Sequence, residues 1–288
     1  MLLNEIPILC NKALEAPSVF IPQNLLREAR RQKGLPTAAV PKVCVLDPDG
    51  DIVRGLLCSE RATRDSGWAC YHTDLYDFVQ EGAPMGIIGC AVGGSFAVLL
   101  AEQLFASGCR LLISVTSAGQ IVPIRKPPHY VLIDRALRDE GTSYHYLSPS
   151  RFARLNGRLL EWLHDLLDDP SLALEQGASW TTDAPFRETE QAIAFAKSQG
   201  ILAVEMEAAS LYAFAEARQK PLICFAHITN QMARIEGDFE KGEADGSVES
   251  LRLIGRVARR WLSSPRIVRA PDEVQNSDEA VRGHPHPY

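Results

Sequence analysis

Short apolar runs recur along the chain, separated by turn residues from longer stretches with helical spacing. VCVLD (43–47), MGIIGCAV (85–92), RLLISVTSAG (110–119), HYVLIDRAL (129–137), ILAV (201–204) and PLICFAHITN (221–230) read as strands. Their near-continuous apolar character predicts burial on both faces, as in a mostly parallel sheet. Further strands are expected around WACYHTDLYDF (68–78) and ASWTTDAPF (178–186). Helices are predicted for SFAVLLAEQLFAS (95–107), opened by Gly93-Gly94 and stopped by Gly108, and for an amphipathic stretch over 151–168. AASLYAFAEARQ (208–219) and SVESLRLIGRVARRWLSS (247–264) complete the set. QNLLREARRQKG (23–34) reads as a surface helix stopped at Gly34 and Pro36.

Strands alternating with helices imply an α/β fold around a central sheet. No linker-like break interrupts 41–264, so that span is read as one domain, preceded by an N-terminal extension (1–40) and followed by a Pro-rich polar tail (265–288). In such sheets ligands sit at the carboxyl ends of strands. Here those ends hold most of the unusual residues.

Composition narrows the function classes. With 288 residues, 46% hydrophobic and 23% charged, the chain is that of an ordinary globular protein. A formal charge of −6 argues against a nucleic-acid partner. No long uncharged apolar run predicts a membrane span, and the start, with Glu5 and Glu15, does not resemble a signal peptide. Seven scattered cysteines, an odd count without a CxxC pair, fit a reducing cytoplasm. Cys70-x-His72 alone cannot furnish a zinc site, so no metal is expected.

Several strand ends carry groups suited to anions and sugars. Gly50-Asp51-Ile52-Val53-Arg54 joins a flexible turn to a guanidinium that can grip an oxyanion; a solvated turn with a surface ion pair is the plainer alternative. Gly93-Gly94-Ser95 precedes a helix, where free N–H groups attract anions, although tight strand–helix packing also calls for glycine. Ser114, Thr116 and Ser117 place three hydroxyls at one strand end, able to meet phosphate or sugar oxygens or to cap the next element. Glu205-Met206-Glu207 puts two carboxylates between the apolar ILAV and AASLYAFA. Burying both is costly unless each is hydrogen-bonded. The pair is read as facing opposite ways, so that one serves structure while the other faces a ligand.

These segments, in this order, resemble the nucleoside phosphorylase-I superfamily and within it the uridine phosphorylase-like branch. VEMEAASLYAFA resembles the family's Glu-Met-Glu helix start, and GDIVR (50–54) its phosphate loop. AVGGSFAVLLAEQLFASGCRLLISVTSAG resembles its glycine turn, helix, strand and Gly-Ser/Thr-x-Gly loop; RDEGTSYHYLSP and TTDAPFRET resemble its base-site region. The similarity spans about 42–262. It implies a twisted mixed sheet flanked by helices, assembled as a homo-oligomer (dimer, trimer or hexamer). The implied reaction is phosphorolysis of a nucleoside to free base and (deoxy)ribose 1-phosphate, with inorganic phosphate as co-substrate and no other cofactor. By match, Gly50, Arg54, Gly94 and Ser117 would bind phosphate, Met206 and Glu207 the sugar, and Arg187, Asn230 and His145 the base. Glu207 and Arg54 would carry catalysis.

The chain departs from the family at four places. Ser114 stands where an arginine is usual before the Gly-Ser/Thr loop, with Arg61 or Arg64 as substitutes. Phe96 replaces a small polar residue, no histidine precedes His72, and Asn230 stands where the purine branch has aspartate. The missing arginine keeps two alternatives in view: a nucleosidase that uses water, and a non-catalytic nucleoside-binding member.

Overall fold

The computed structural model describes residues 6–232 and 236–264, so the predicted tail and the first residues of the extension lie outside the described residues. Ten strands form one mixed sheet: β1 (Val43–Asp47), β2 (Ala62–Arg64), β3 (Tyr76–Gln80), β4 (Ala83–Gly89), β5 (Leu111–Gln120), β6 (His129–Asp139), β7 (Phe152–Arg154), β8 (Leu174–Thr182), β9 (Ile201–Glu205) and β10 (Leu222–Asn230). Helices α1 (Pro22–Lys33), α2 (Asp51–Cys58), α3 (Gly94–Ala106), α4 (Gly157–Trp162), α5 (His164–Leu167), α6 (Glu190–Ser198), α7 (Ala208–Ala217) and α8 (Ser247–Ser263) flank it. Among the described residues no helix is long and apolar enough to cross a membrane.

The apolar runs become the strands they predict because both faces of the sheet are covered. All five residues of β1 and all nine of β10 are buried. α1 also forms as predicted: Pro22 opens it, Gly34 closes it in the left-handed region, and Leu26 and Ala29 pack with Ala69. The stretch over 151–168 is corrected from one helix to three pieces. Phe152–Arg154 pairs with β6, and the Asn156 side chain accepts from the N–H groups of Arg158 and Leu159 to start a new helix. Around 68–78 the strand shrinks to Tyr76–Gln80, because Asp65 gathers the N–H groups of Gly67 and Trp68 into a turn. The helix α6, absent from the sequence reading, starts at Thr189, whose hydroxyl accepts from Ala192.

The sheet order β10-β6-β8-β9-β5-β1-β4-β3-β2 is closed upon itself by a further pairing of β10 with β5. β5, β10, β6, β8 and β9 thus form a ring, which removes the edges of its strands. β1 runs parallel to β4 and β5, and β10 parallel to β5, so their carboxyl ends open on the same side. β9 meets the end of β5 antiparallel, with Gly119 opposite Val204. That contact turns the β9–α7 junction back toward Ser117.

Candidate active site

The site is assembled where these ends converge. At the end of β1, Asp47 is buried and accepts from the N–H groups of Gly50 (3.1 Å) and Val53 (2.9 Å), anchoring the turn that opens α2. Burial pushes its carboxyl up to about 7. Gly50 sits at φ +77, and a Cβ there would lie 2.7 Å from Cys90 Sγ, so the turn requires glycine. The Arg54 side chain is 58% exposed and forms an ion pair with Asp51, whose other oxygen receives Lys241 Nζ at 2.5 Å. One carboxylate therefore holds two cations beside the turn. Lys241 loses by burial, but Asp51 more than compensates and raises its pKa.

The β9–α7 junction presents the two glutamates. Glu205 faces β8 and α7: it accepts from Ser179 Oγ (2.9 Å), Thr181 Oγ1 (2.5 Å) and the N–H groups of Glu207 and Ala208 (2.7 Å each). Glu207 faces the other way. Its Oε1 accepts from Gly93 N–H (2.7 Å), and its Oε2 accepts from Thr116 Oγ1 (2.9 Å) and from Met206 N–H (3.3 Å). Burial raises the pKa of both, and for Glu207 the charge of Glu205 adds to it, against the pull of the Gly93 and Thr116 donors. Gly94 lies beneath this junction, where a Cβ would come within 2.1 Å of Ser210 Oγ; close packing of α3 on α7 depends on glycine there.

The next residue of β5, Ser117, gives both its N–H (2.7 Å) and its hydroxyl (2.8 Å) to the Asp49 carboxylate. His227 of β10 lies beside Ser117 in register, buried and stacked on Tyr130 with ring centroids 4.7 Å apart. Burial lowers its pKa to about 4, against the pull of Asp49. Asn230, also buried, donates to Thr229 Oγ1 and accepts from Met232 N–H.

The structure thus groups Gly50, Arg54, Ser117, Met206, Glu207 and Gly94 at neighbouring strand ends. None of the hydrogen bonds joining that group reaches Arg187 or His145. Arg187 is exposed on a short 3-10 turn, and His145, also exposed, meets Lys12 Nζ of the N-terminal extension at 3.0 Å. Arg64 pairs with Asp74 and Arg61 with Gln80, so neither supplies a free cation from this chain to the site. Ser114 is buried, and its hydroxyl has no partner among the described residues. The sequence reading missed Asp49, Lys241 and His227 as site residues. A lone histidine in the apolar run PLICFAHITN was the available signal for one; Lys241 had none. A cavity of about 490 Å³ opens beside the amino end of β10, lined by Arg154, Arg158 and Lys220 among others, and shares no residue with the polar cluster.

The family description "phosphorylase superfamily" matches residues 60–258. An uncharacterized protein of Acanthamoeba polyphaga mimivirus is 28% identical over 194 residues, covering 64% of this chain and 75% of its own. The fold resembles uridine phosphorylase from Vibrio fischeri ES114 complexed with 6-hydroxy-1-naphthoic acid, with TM-score 0.64 and 21% identity over 78% of this chain and 91% of that one. It equally resembles purine nucleoside phosphorylase from Toxoplasma gondii in complex with immucillin-H, with TM-score 0.64 and 14% identity over 77% and 93% of the two chains.

Proposed function

The chain belongs to the phosphorylase superfamily, and from that premise we propose that it cleaves the N-glycosidic bond of a nucleoside, with inorganic phosphate as acceptor. A phosphate oxygen bonds to the anomeric carbon while the carbon–nitrogen bond breaks. The electron pair leaves with the base, which takes up a proton, and the sugar leaves as (deoxy)ribose 1-phosphate. Because the sugar passes through an oxocarbenium-like state, positioning and electrostatics supply the catalysis, without a covalent enzyme intermediate. The observation that carries this reading is the convergence at neighbouring strand ends of a buried carboxylate, Glu207, with the Gly50–Arg54 turn and its two cations. Three donors already reach the Glu207 carboxyl, and in its ionised form it offers about four acceptor positions, leaving one for a ribose hydroxyl. Arg54 and Lys241 would face the anion, and Asn230 would meet the base. The uridine and purine nucleoside phosphorylases of like fold agree with a nucleoside as substrate. A homo-oligomer is part of the same reading.

Hydrolysis is the second reading, favoured by two observations: Ser114 brings no charge, and the donors of Ser117 are held by Asp49. Base release from uridine, inosine and methylthioadenosine, followed with and without phosphate, decides between them. Release that rises with phosphate and yields a sugar 1-phosphate upholds phosphorolysis. Phosphate-independent release giving free sugar makes the protein a nucleosidase, and no release from any nucleoside removes both.

A further inference from the structure

We propose that Asp49 is the acceptor-selecting residue of this site: its carboxylate occupies the anion-binding donors of Ser117, and phosphate reaches them only by displacing it. The proposal deepens the phosphorolytic reading and rests on it for the identity of the anion. Ser117 offers an N–H and an O–H from one residue, and the two converge on the two oxygens of a single carboxylate at 2.7 and 2.8 Å. A phosphate presents the same fork of oxygens, so Asp49 is an oxyanion held within the chain. Both cannot use the fork at once, and two like charges in a half-buried pocket repel.

The turn that carries Asp49 is fixed on either side of it. Gly50 N–H is held by the Asp47 carbonyl and carboxylate, and Cys90 N–H by the same carbonyl. Displacement therefore asks for rotation of one side chain and leaves the turn in place. Lys241, on the neighbouring Asp51 and within electrostatic reach of Asp49, offers the carboxylate an alternative partner. While Asp49 is seated, the acceptor able to approach is a neutral one such as water. Phosphate has to outcompete it, without the arginine that Ser114 replaces.

The test titrates inorganic phosphate into the full-length protein and its variants by calorimetry, and separately measures base release against phosphate concentration. Asp49→Ala is expected to bind phosphate about tenfold more tightly, and the half-saturating phosphate for base release to fall by a similar factor. Asp49→Asn, which keeps the shape and one acceptor but not the charge, is expected to fall between, and it carries the test if the alanine variant does not fold. Adding Ser117→Ala to Asp49→Ala removes the hydroxyl of the fork and leaves its N–H, and should cut the gain by about half on a logarithmic scale. Unchanged or weaker phosphate binding in both single variants overturns the proposal, as does a gain left undiminished by the loss of the Ser117 hydroxyl. If no variant releases base from any nucleoside, the functional reading fails, while the titration still judges Asp49.

Discussion

On the side of the β9–α7 junction that faces β8, Glu205 receives four hydrogen bonds and is enclosed by the fold. On the side that faces β5 and the glycine turn, Glu207 receives a backbone N–H from one loop and a hydroxyl from one strand, at the rim of the polar cluster. Both side chains are almost fully buried, with 3% and 1% exposure. Burial alone therefore does not distinguish the carboxylate proposed to meet the sugar from the one that ties β9 to β8 and α7; the two differ in which elements their donors come from. The donors of Glu205 lie on β8, an adjoining strand, and on the start of α7 itself. Those of Glu207 come chiefly from two elements that the chain brings together only in the finished fold.

The comparison is broken most severely at Glu205. Glu205→Ala leaves two buried N–H groups and the Ser179 and Thr181 hydroxyls without their acceptor, and is expected to lower unfolding free energy by about 3 kcal/mol or more in a denaturant titration. Glu207→Gln should behave oppositely. Its amide oxygen still accepts from Gly93 N–H and its amide nitrogen can donate to Thr116, with only the long 3.3 Å contact from Met206 N–H lost, so stability should stay within about 1 kcal/mol of the parent while base release falls by about a hundredfold. An unaltered turnover number would remove Glu207 from the chemistry. Arg54→Ala, a change at an exposed side chain, should raise the half-saturating phosphate by about tenfold with the turnover number near that of the parent. A fall in turnover with no effect on phosphate would place Arg54 elsewhere.

The smallest effect is on pH dependence. Glu207 has a raised pKa in the folded state and an ordinary one when unfolded, so the folded chain binds the extra proton near neutrality. Its contribution is full below the ordinary carboxylate range and declines as pH rises through the raised value. Asp47, at about 7, acts with the same sign. His227 acts with the opposite sign: pulled down to about 4 from 6.5, it favours the folded state more as pH rises between those values. Above pH 6.5 the carboxylates dominate, so melting temperature should fall from there toward pH 8, and Glu207→Gln should flatten the decline. An equal slope in both proteins would contradict the raised pKa of Glu207.

The apolar runs made the strands legible, because a strand covered on both faces has to be apolar along its length; β1, β5 and β10 follow from that alone. The opposite facing of Glu205 and Glu207 does not follow from strand alternation, which turns positions i and i+2 the same way; it arises because β9 ends at Glu205 and Glu207 caps α7 at φ −129, ψ −38. The Gly50 turn follows from its residue types. Local pattern failed where a long-range pairing overrode it. Phe152–Arg154 carries the spacing of a helix and is a strand because β6 offers it hydrogen bonds.

What the amino-acid order determined by itself was therefore the set of elements and the residue types at their ends, since both depend on neighbours a few positions away. Only the folded ring decided that Asp49 lies on Ser117, that Lys241 joins Arg54 on Asp51, and that His227 is sealed beside them. Those contacts link positions 68 and 190 residues apart, as for Ser117 with Asp49 and Lys241 with Asp51. Strand register and sheet closure set such distances, and no periodicity along the chain encodes them.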